Sequence, residues 1–182
     1  MIKKMRWMAI MIVLFCKAEA STAQFDSIVK ANRVKYQQVR NKQPEYEQVK
    51  TTFTESTGSV QATAFYEGND LMIIEVIHFS EGIHKQTEYY FENGYLYFAL
   101  ERAQPPENVI TINSKGKDKG KTRLSSAANT AVTENRYYFY GDKLIRWYDN
   151  EQQVVDLNAG TNSTVGNGLV TEAYKMKERL KK

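Results

Sequence analysis

His78 and His84 are the only histidines, and Glu81 lies between them. Across a hairpin turn these three could share a divalent metal. A dedicated zinc site uses three or four ligands in set geometry, and nothing else in the chain points here, so both histidines are read as structural or surface residues. Glu67 and Asp70 form a carboxylate pair beside Gly68-Asn69, but a hairpin tip open to water is poor ground for acid–base work. Gly116 with Gly120-Lys121-Thr122 is one residue too short for the G-x-x-x-x-G-K-[ST] phosphate loop, and 103–134 reads as an exposed loop. The chain has neither a G-x-S-x-G elbow nor an H-E-x-x-H pair. No catalytic residue, metal or cofactor is expected, and neither a nucleotide nor a nucleic acid as partner.

The chemistry that remains is recognition by aromatic groups. Phe65, Tyr90, Tyr97, Tyr138 and Trp147 fall on one face of the strands derived below, with Arg136 opposite Trp147 and able to stack on it. Left open, such a stripe is a binding surface, because exposed aromatic patches mark interaction sites. Covered by the C-terminal helix or the 103–134 loop, it is core.

Three segments position this stripe. "AFYEGNDLMI", "YYFENGYLYF" and "YYFYGDKLIR" align without gaps around Gly68-Asn69, Asn93-Gly94 and Gly141-Asp142. Each pair suits a two-residue hairpin turn, where positive φ is needed. Leu71, Leu96 and Leu144 each fall two residues past their turn. Two-residue loops set the register, which predicts core pairs Tyr66/Leu71, Ala64/Ile73, Phe91/Leu96, Tyr89/Phe98 and Phe139/Leu144. The opposite face then carries Phe65/Met72, Tyr90/Tyr97, Tyr138/Ile145 and Arg136/Trp147. A turn around Ser80–Gly82 joins the first two hairpins into a meander, and Val109–Ile112 adds a short strand inside the loop.

Helices flank these strands. Phe25, Ile28, Val29, Tyr36 and Val39 recur at helical spacing, with Asp26 placed as a cap. Pro44 interrupts, and "EYEQVKTTF" reads as two more helical turns. "TEAYKMKERLKK" follows the Gly-rich "GTNSTVGNG" as a basic terminal helix. The fold class predicted is α+β: an antiparallel meander of repeated hairpins between an N-terminal and a C-terminal helix, in one domain over 24–182.

The start of the chain sets the compartment. Lys3, Lys4 and Arg6 precede the uncharged "WMAIMIVLFC", and small residues follow at Ala18, Ala20, Ser21 and Ala23. This is the order of a secretory signal peptide (1–23), cleaved near Ala20 or Ala23; the apolar run falls short of the roughly 20 residues that span a bilayer. The protein is thus expected in the periplasm or outside the cell, with no transmembrane span after cleavage. Residues 1–23 hold four of the 25 basic and one of the 21 acidic residues, leaving 21 against 20 and a net charge of +1. The basic runs 115–123 and "KMKERLKK" could touch lipopolysaccharide, lipid headgroups or nucleic acid, but read first as solvated faces. Cys16, the only cysteine, leaves with the signal, so burial alone must hold the domain together.

The signatures E-Y-Y-F-E-N-G-Y-L (88–96) and E-N-R-Y-Y-F-Y-G-D-K-L-I-R-W (134–147) resemble those of a group of small uncharacterised exported bacterial proteins. The likeness covers residues 25–155 in layout and implies an exported α+β domain without implying an activity. A weaker likeness is to MORN-type hairpin repeats, whose Tyr-turn-Leu unit is shared but whose regular spacing and extra glycines are missing. Together these readings suggest a non-enzymatic module that binds a protein, glycan or envelope component. The alternatives are an accessory envelope protein with the aromatic face buried, or a hydrolase acting on envelope substrates.

Overall fold

A computed structural model of the protein describes residues 23–56, 58–80, 83–104 and 132–182. Residues 1–22 of the signal segment, the glycines and lysines of the abbreviated phosphate loop, and the strand expected at Val109–Ile112 lie outside the described residues. Helix α1 occupies residues 23–42 and ends in a 3-10 turn, Gln43–Glu45, at Pro44. Seven strands follow: β1 (Glu47–Glu55), β2 (Gly58–Glu67), β3 (Asp70–Ser80), β4 (Ile83–Glu92), β5 (Tyr95–Gln104), β6 (Thr133–Tyr140) and β7 (Lys143–Tyr148). They form one antiparallel sheet in chain order, and helix α2 (Asn162–Arg179) closes the fold. The predicted α+β meander between terminal helices is the fold observed.

Both faces of the sheet are covered. α2 packs on the face of Ala64, Tyr66, Ile74, Tyr89, Phe91, Leu96, Tyr137 and Phe139, contributing Leu169, Ala173, Met176 and Leu180. α1 packs on the other, where Val29 and Val39 are buried and Phe25, Ile28 and Tyr36 lean on the cluster, as their spacing predicts. A sheet wrapped on both sides needs apolar residues on both, so its strands lose the simple in-out alternation.

Four expectations are corrected. "EYEQVKTTF" is not helix: after the 3-10 turn its β-branched Val-x-Thr-Thr run becomes β1, paired along its length with β2. Asp26 does not cap α1 but sits inside it, and its carboxylate accepts a 2.6 Å ion pair from Arg146 on β7. α2 begins at Asn162 rather than at Thr171, so most of the Gly-rich stretch forms its first turns. A Cβ on Gly166 would stand 2.6 Å from Leu144 Cβ, so the glycine that looks like a helix breaker is what lets the helix approach β7.

The fourth correction concerns register. Each hairpin holds its first apolar pair as predicted: Tyr66↔Leu71, Phe91↔Leu96 and Phe139↔Leu144. One residue further on, every hairpin carries a β-bulge. Met72, Tyr97 and Ile145 are extra residues on the returning strand, so Phe65 pairs Ile73, Tyr90 pairs Phe98 and Tyr138 pairs Arg146. The slip moves every later residue of the returning strand to the opposite face. The template repeated three times therefore includes its bulge.

Candidate functional site

The aromatic stripe is divided between the two faces. Phe65, Tyr90, Tyr97 and Tyr138 share the face under α1; Tyr90 and Tyr138 are 0% and 2% exposed. The cover is the N-terminal helix rather than the C-terminal helix; residues 105–131 of the expected loop lie outside the described residues. Tyr36 of α1 makes edge contacts with Tyr90 and Phe98 at ring separations of 5.1 and 5.0 Å. The β7 bulge places Trp147 on the α2 face, where it lies 5.3 Å from the Tyr137 ring and donates to Asn135 Oδ1 at 3.0 Å. Arg136 consequently faces Tyr148 across the ladder rather than Trp147. It donates through Nε to Glu134 Oε1 at 2.8 Å and through Nη1 to Gln152 Oε1 at 2.9 Å.

A charged network runs beneath α1. Glu88, fully buried, accepts from Tyr90 OH at 2.6 Å and from Arg102 Nη1 at 2.8 Å, with Arg40 Nη1 at 3.6 Å. Arg40 also reaches Glu75 at 3.1 Å, and Arg102 reaches Glu134 at 2.9 Å. Burial alone would raise the Glu134 carboxyl, but the hydrogen bonds from Arg102 and Arg136 outweigh it and hold the group below its ordinary value. Sequence inspection missed this network. Its one visible signal is Glu88 opening the apolar run "EYYF".

The histidines do not converge. In the β3–β4 ladder His78 pairs Lys85 and His84 pairs Phe79, so neighbouring positions send the two rings to opposite faces. His78 Nε2 lies 3.0 Å from Glu172 of α2, and His84 packs edge-on against Phe79 at 5.1 Å. Glu81 lies outside the described residues, and among those described no His/Cys/Asp/Glu group could hold a metal ion.

The sites open to a ligand lie where the hairpins part. β5 and β6 pair from Ala103↔Thr133 only as far as Phe98↔Tyr138, and β3 and β4 pair from Ser80↔Ile83 only as far as Ile73↔Tyr90. These two end-points occupy the same positions in the repeated unit. Beyond them the hairpin tips separate, leaving two equivalent gaps.

The gap between the second and third tips is filled by the protein. Asn32 of α1 enters from one face and donates to Tyr97 O at 3.0 Å and Phe139 O at 3.3 Å. From the other, Asp142 Oδ1 accepts the Leu96 N–H at 3.0 Å, and Tyr174 OH of α2 donates to Asp142 Oδ2 at 2.9 Å.

The gap between the first and second tips is an open cleft of about 940 Å³. Its floor is Val39, Tyr46, Tyr66, Leu71, Met72 and Phe91, and its rim carries Lys35, Lys42, Lys177, Lys181 and Lys182 against Glu67, Asp70 and Glu92. Lys35 pairs with Glu92, Lys42 with Glu67 at 3.4 Å, and Lys182 with Glu47 at 2.5 Å. Tyr46 is buried in the wall, and its hydroxyl has no hydrogen-bond partner among the described residues. Burial, followed by the charges of Glu67 and Glu45, raises that phenol above its ordinary value. A size near the top of the small-molecule range, an apolar floor and convergent polar groups are the properties of a ligand site.

Comparison with family models, curated proteins and solved structures finds no match to this chain. Among the described residues no helix is long and apolar enough to cross a membrane.

The cleft uses none of the stripe residues. It uses the C-terminal "KMKERLKK", where Met176 and Leu180 are core while Lys177, Lys181 and Lys182 stand at the rim. The basic run was visible in the sequence; the end of the sheet against which it folds was not.

Proposed function

We propose that this protein is an exported, non-catalytic binding module of the cell envelope, and that its ligand seats in the cleft between the first and second hairpin tips. One observation carries the reading. Of two equivalent gaps in a repeated structure, the protein fills one with its own Asn32, Asp142 and Tyr174 and leaves the other open over an apolar floor. The basic-apolar-small order of residues 1–23 supports export. The buried stripe is then scaffold. It fixes α1 across the sheet, which sets Lys35, Gln38 and Lys42 along one wall of the cleft.

Native mass spectrometry of the protein, purified gently from its own envelope and from the medium, tests this. A mass above the bare chain is expected, and it should be lost in a Lys42→Glu, Lys181→Glu variant that reverses the rim charge. A bare chain from both sources overturns the reading in favour of a purely structural accessory protein, which the burial of the stripe also supports. N-terminal sequencing tests export: a start at Ser21 or Gln24 is expected, and an intact Met1 on the functional protein counts against it.

A further inference from the structure

We infer that the open cleft takes the C-terminal end of a peptide; the inference rests on the cleft being the binding site proposed above. The filled gap shows what the empty one lacks. In a two-residue hairpin the residues beside the turn bond each other, and the next pair points its backbone groups outward. Leu96 and Phe139 therefore face the filled gap, where Asp142 accepts the Leu96 N–H and Asn32 donates to the carbonyls of Phe139 and the bulge residue Tyr97. The repeat places Leu71 N–H, Phe91 C=O and the bulge carbonyl of Met72 at the corresponding points of the open gap.

The turn position that matches Asp142 is Gly94, which has no side chain to offer Leu71. An occupant that completes this gap as the other is completed brings a carboxylate for Leu71 N–H and an N–H donor for the Phe91 and Met72 carbonyls. The last residue of a peptide carries the carboxylate and one N–H, which the two carbonyls must share where Asn32 offers two hydrogens. Lys177, which donates to Gly94 O at 3.1 Å, and Lys181, which pairs with Glu178, bring positive charge to the rim for the peptide carboxylate, and apolar side chains rest on Leu71, Met72 and Phe91. A fatty acid meets the carboxylate requirement but leaves both carbonyls without a donor, and a buried acceptor left unmade is costly. Strand edges read by backbone bonding, with side chains in adjoining pockets, are a recurrent way of binding peptides.

The test immobilises the purified protein and offers three probes: a sequence-randomised pool of N-acetylated tripeptides with free carboxylates, the same pool amidated, and laurate. Retention is read by mass spectrometry. The free-acid pool should be retained, with the amidated pool about tenfold weaker or worse. Gly94→Asp supplies the missing carboxylate from within. The third hairpin already holds an aspartate at this point with φ 60°, and a Cβ on Gly94 meets only Lys177 Nζ, at 3.6 Å. Gly94 itself stands at φ 84°, where a side chain is strained, so this variant should lose retention about tenfold and keep its circular dichroism, with a lowered melting temperature. If it does not fold, Lys181→Glu at the exposed rim is the substitute and should weaken retention likewise. Laurate retained in place of peptides overturns the peptide assignment and leaves the cleft as a ligand site. Equal retention of acid and amide, or by Gly94→Asp and the parent, also overturns it. No retention of any probe overturns the peptide assignment, while the cleft's proposed role stands or falls on the native mass measurement.

Discussion

Asn32 Nδ2 lies 3.0 Å from Tyr97 O, joining the middle of α1 to a carbonyl that the β5 bulge turns away from its own ladder. The same amide reaches Phe139 O at 3.3 Å, so one side chain closes the gap between two hairpins. Asn32→Ala removes the only described donor for both buried carbonyls. A destabilisation of about 1–3 kcal/mol is expected in urea unfolding, with Asn32→Asp worse because a carboxylate cannot donate. A loss within about 0.5 kcal/mol, the range of an ordinary surface change, would show that the amide is not needed.

Glu88 sets a second test beneath the same helix. It is buried against Arg102 and Arg40 and accepts from Tyr90. Truncating one member of a buried ion pair costs about 3–5 kcal/mol, because the partner charge stays behind. Glu88→Ala should fall in that range, whereas Tyr90→Phe, which removes one hydrogen bond to a charge, should cost about 1.5–3 kcal/mol. Glu88→Leu combined with Arg102→Met should recover part of the loss. Strict additivity of the two single changes in urea unfolding would show that the pair does not act as a unit.

These two residues show where the sequence was readable. The hairpins were legible because Gly68-Asn69, Asn93-Gly94 and Gly141-Asp142 announce their turns locally, and α1 was legible because its apolar residues keep helical spacing. The bulges were not, since Met72, Tyr97 and Ile145 are apolar or aromatic and suit either face of a sheet covered on both sides. From that one hidden slip came the misplaced Trp147 and the lost Arg136 stack. Asn32 could not be found either, because the carbonyls it satisfies are exposed by the bulge and the splayed tips. Gly166 misled in the same way: its close contact with Leu144 is tertiary, while its helix-breaking character is local. Lys177, Lys181 and Lys182 were visible as a charge run, but only the fold brings them to the open gap beside Lys35 and Lys42 of α1.

The stripe gives a prediction opposite to that for a binding surface. Tyr138 touches Phe98 at 5.0 Å and Tyr148 at 5.8 Å, and Arg33 donates to its hydroxyl at 3.1 Å. Tyr138→Ala should destabilise by about 3–5 kcal/mol through the cavity it leaves, and Tyr90→Ala by a similar amount. Trp147, partly buried on the α2 face, should cost less on truncation. Tyr138 does not line the cleft, so a Tyr138→Ala protein that remains folded should retain its ligand. Lost binding with undiminished melting temperature would return the stripe to the role of a recognition surface.

The buried phenols predict how the fold fails in alkali. Burial, with the Glu88 charge and hydrogen bond behind it, pushes Tyr90 far above its ordinary 10.0, and burial likewise raises Tyr89, Tyr97 and Tyr137. Tyr174 is pushed up to about 12 by burial and by its hydrogen bond to Asp142. A phenol whose folded value is raised contributes its full stability below the unfolded value near 10 and loses it as pH climbs toward the folded value. Stability should therefore be insensitive to these groups at pH 7–9 and fall steeply from about pH 10 upward. The phenolate absorbance of this class should rise together with the loss of circular dichroism, because Tyr89 and Tyr90 reach water only when the sheet opens. Tyr174→Phe should make the decline between pH 10 and 12 shallower, since a ring that cannot ionise no longer favours the unfolded chain. Phenolate absorbance that reached completion before any loss of ellipticity would show that these rings are reachable in the folded protein and that the double-sided cover of the sheet opens without unfolding.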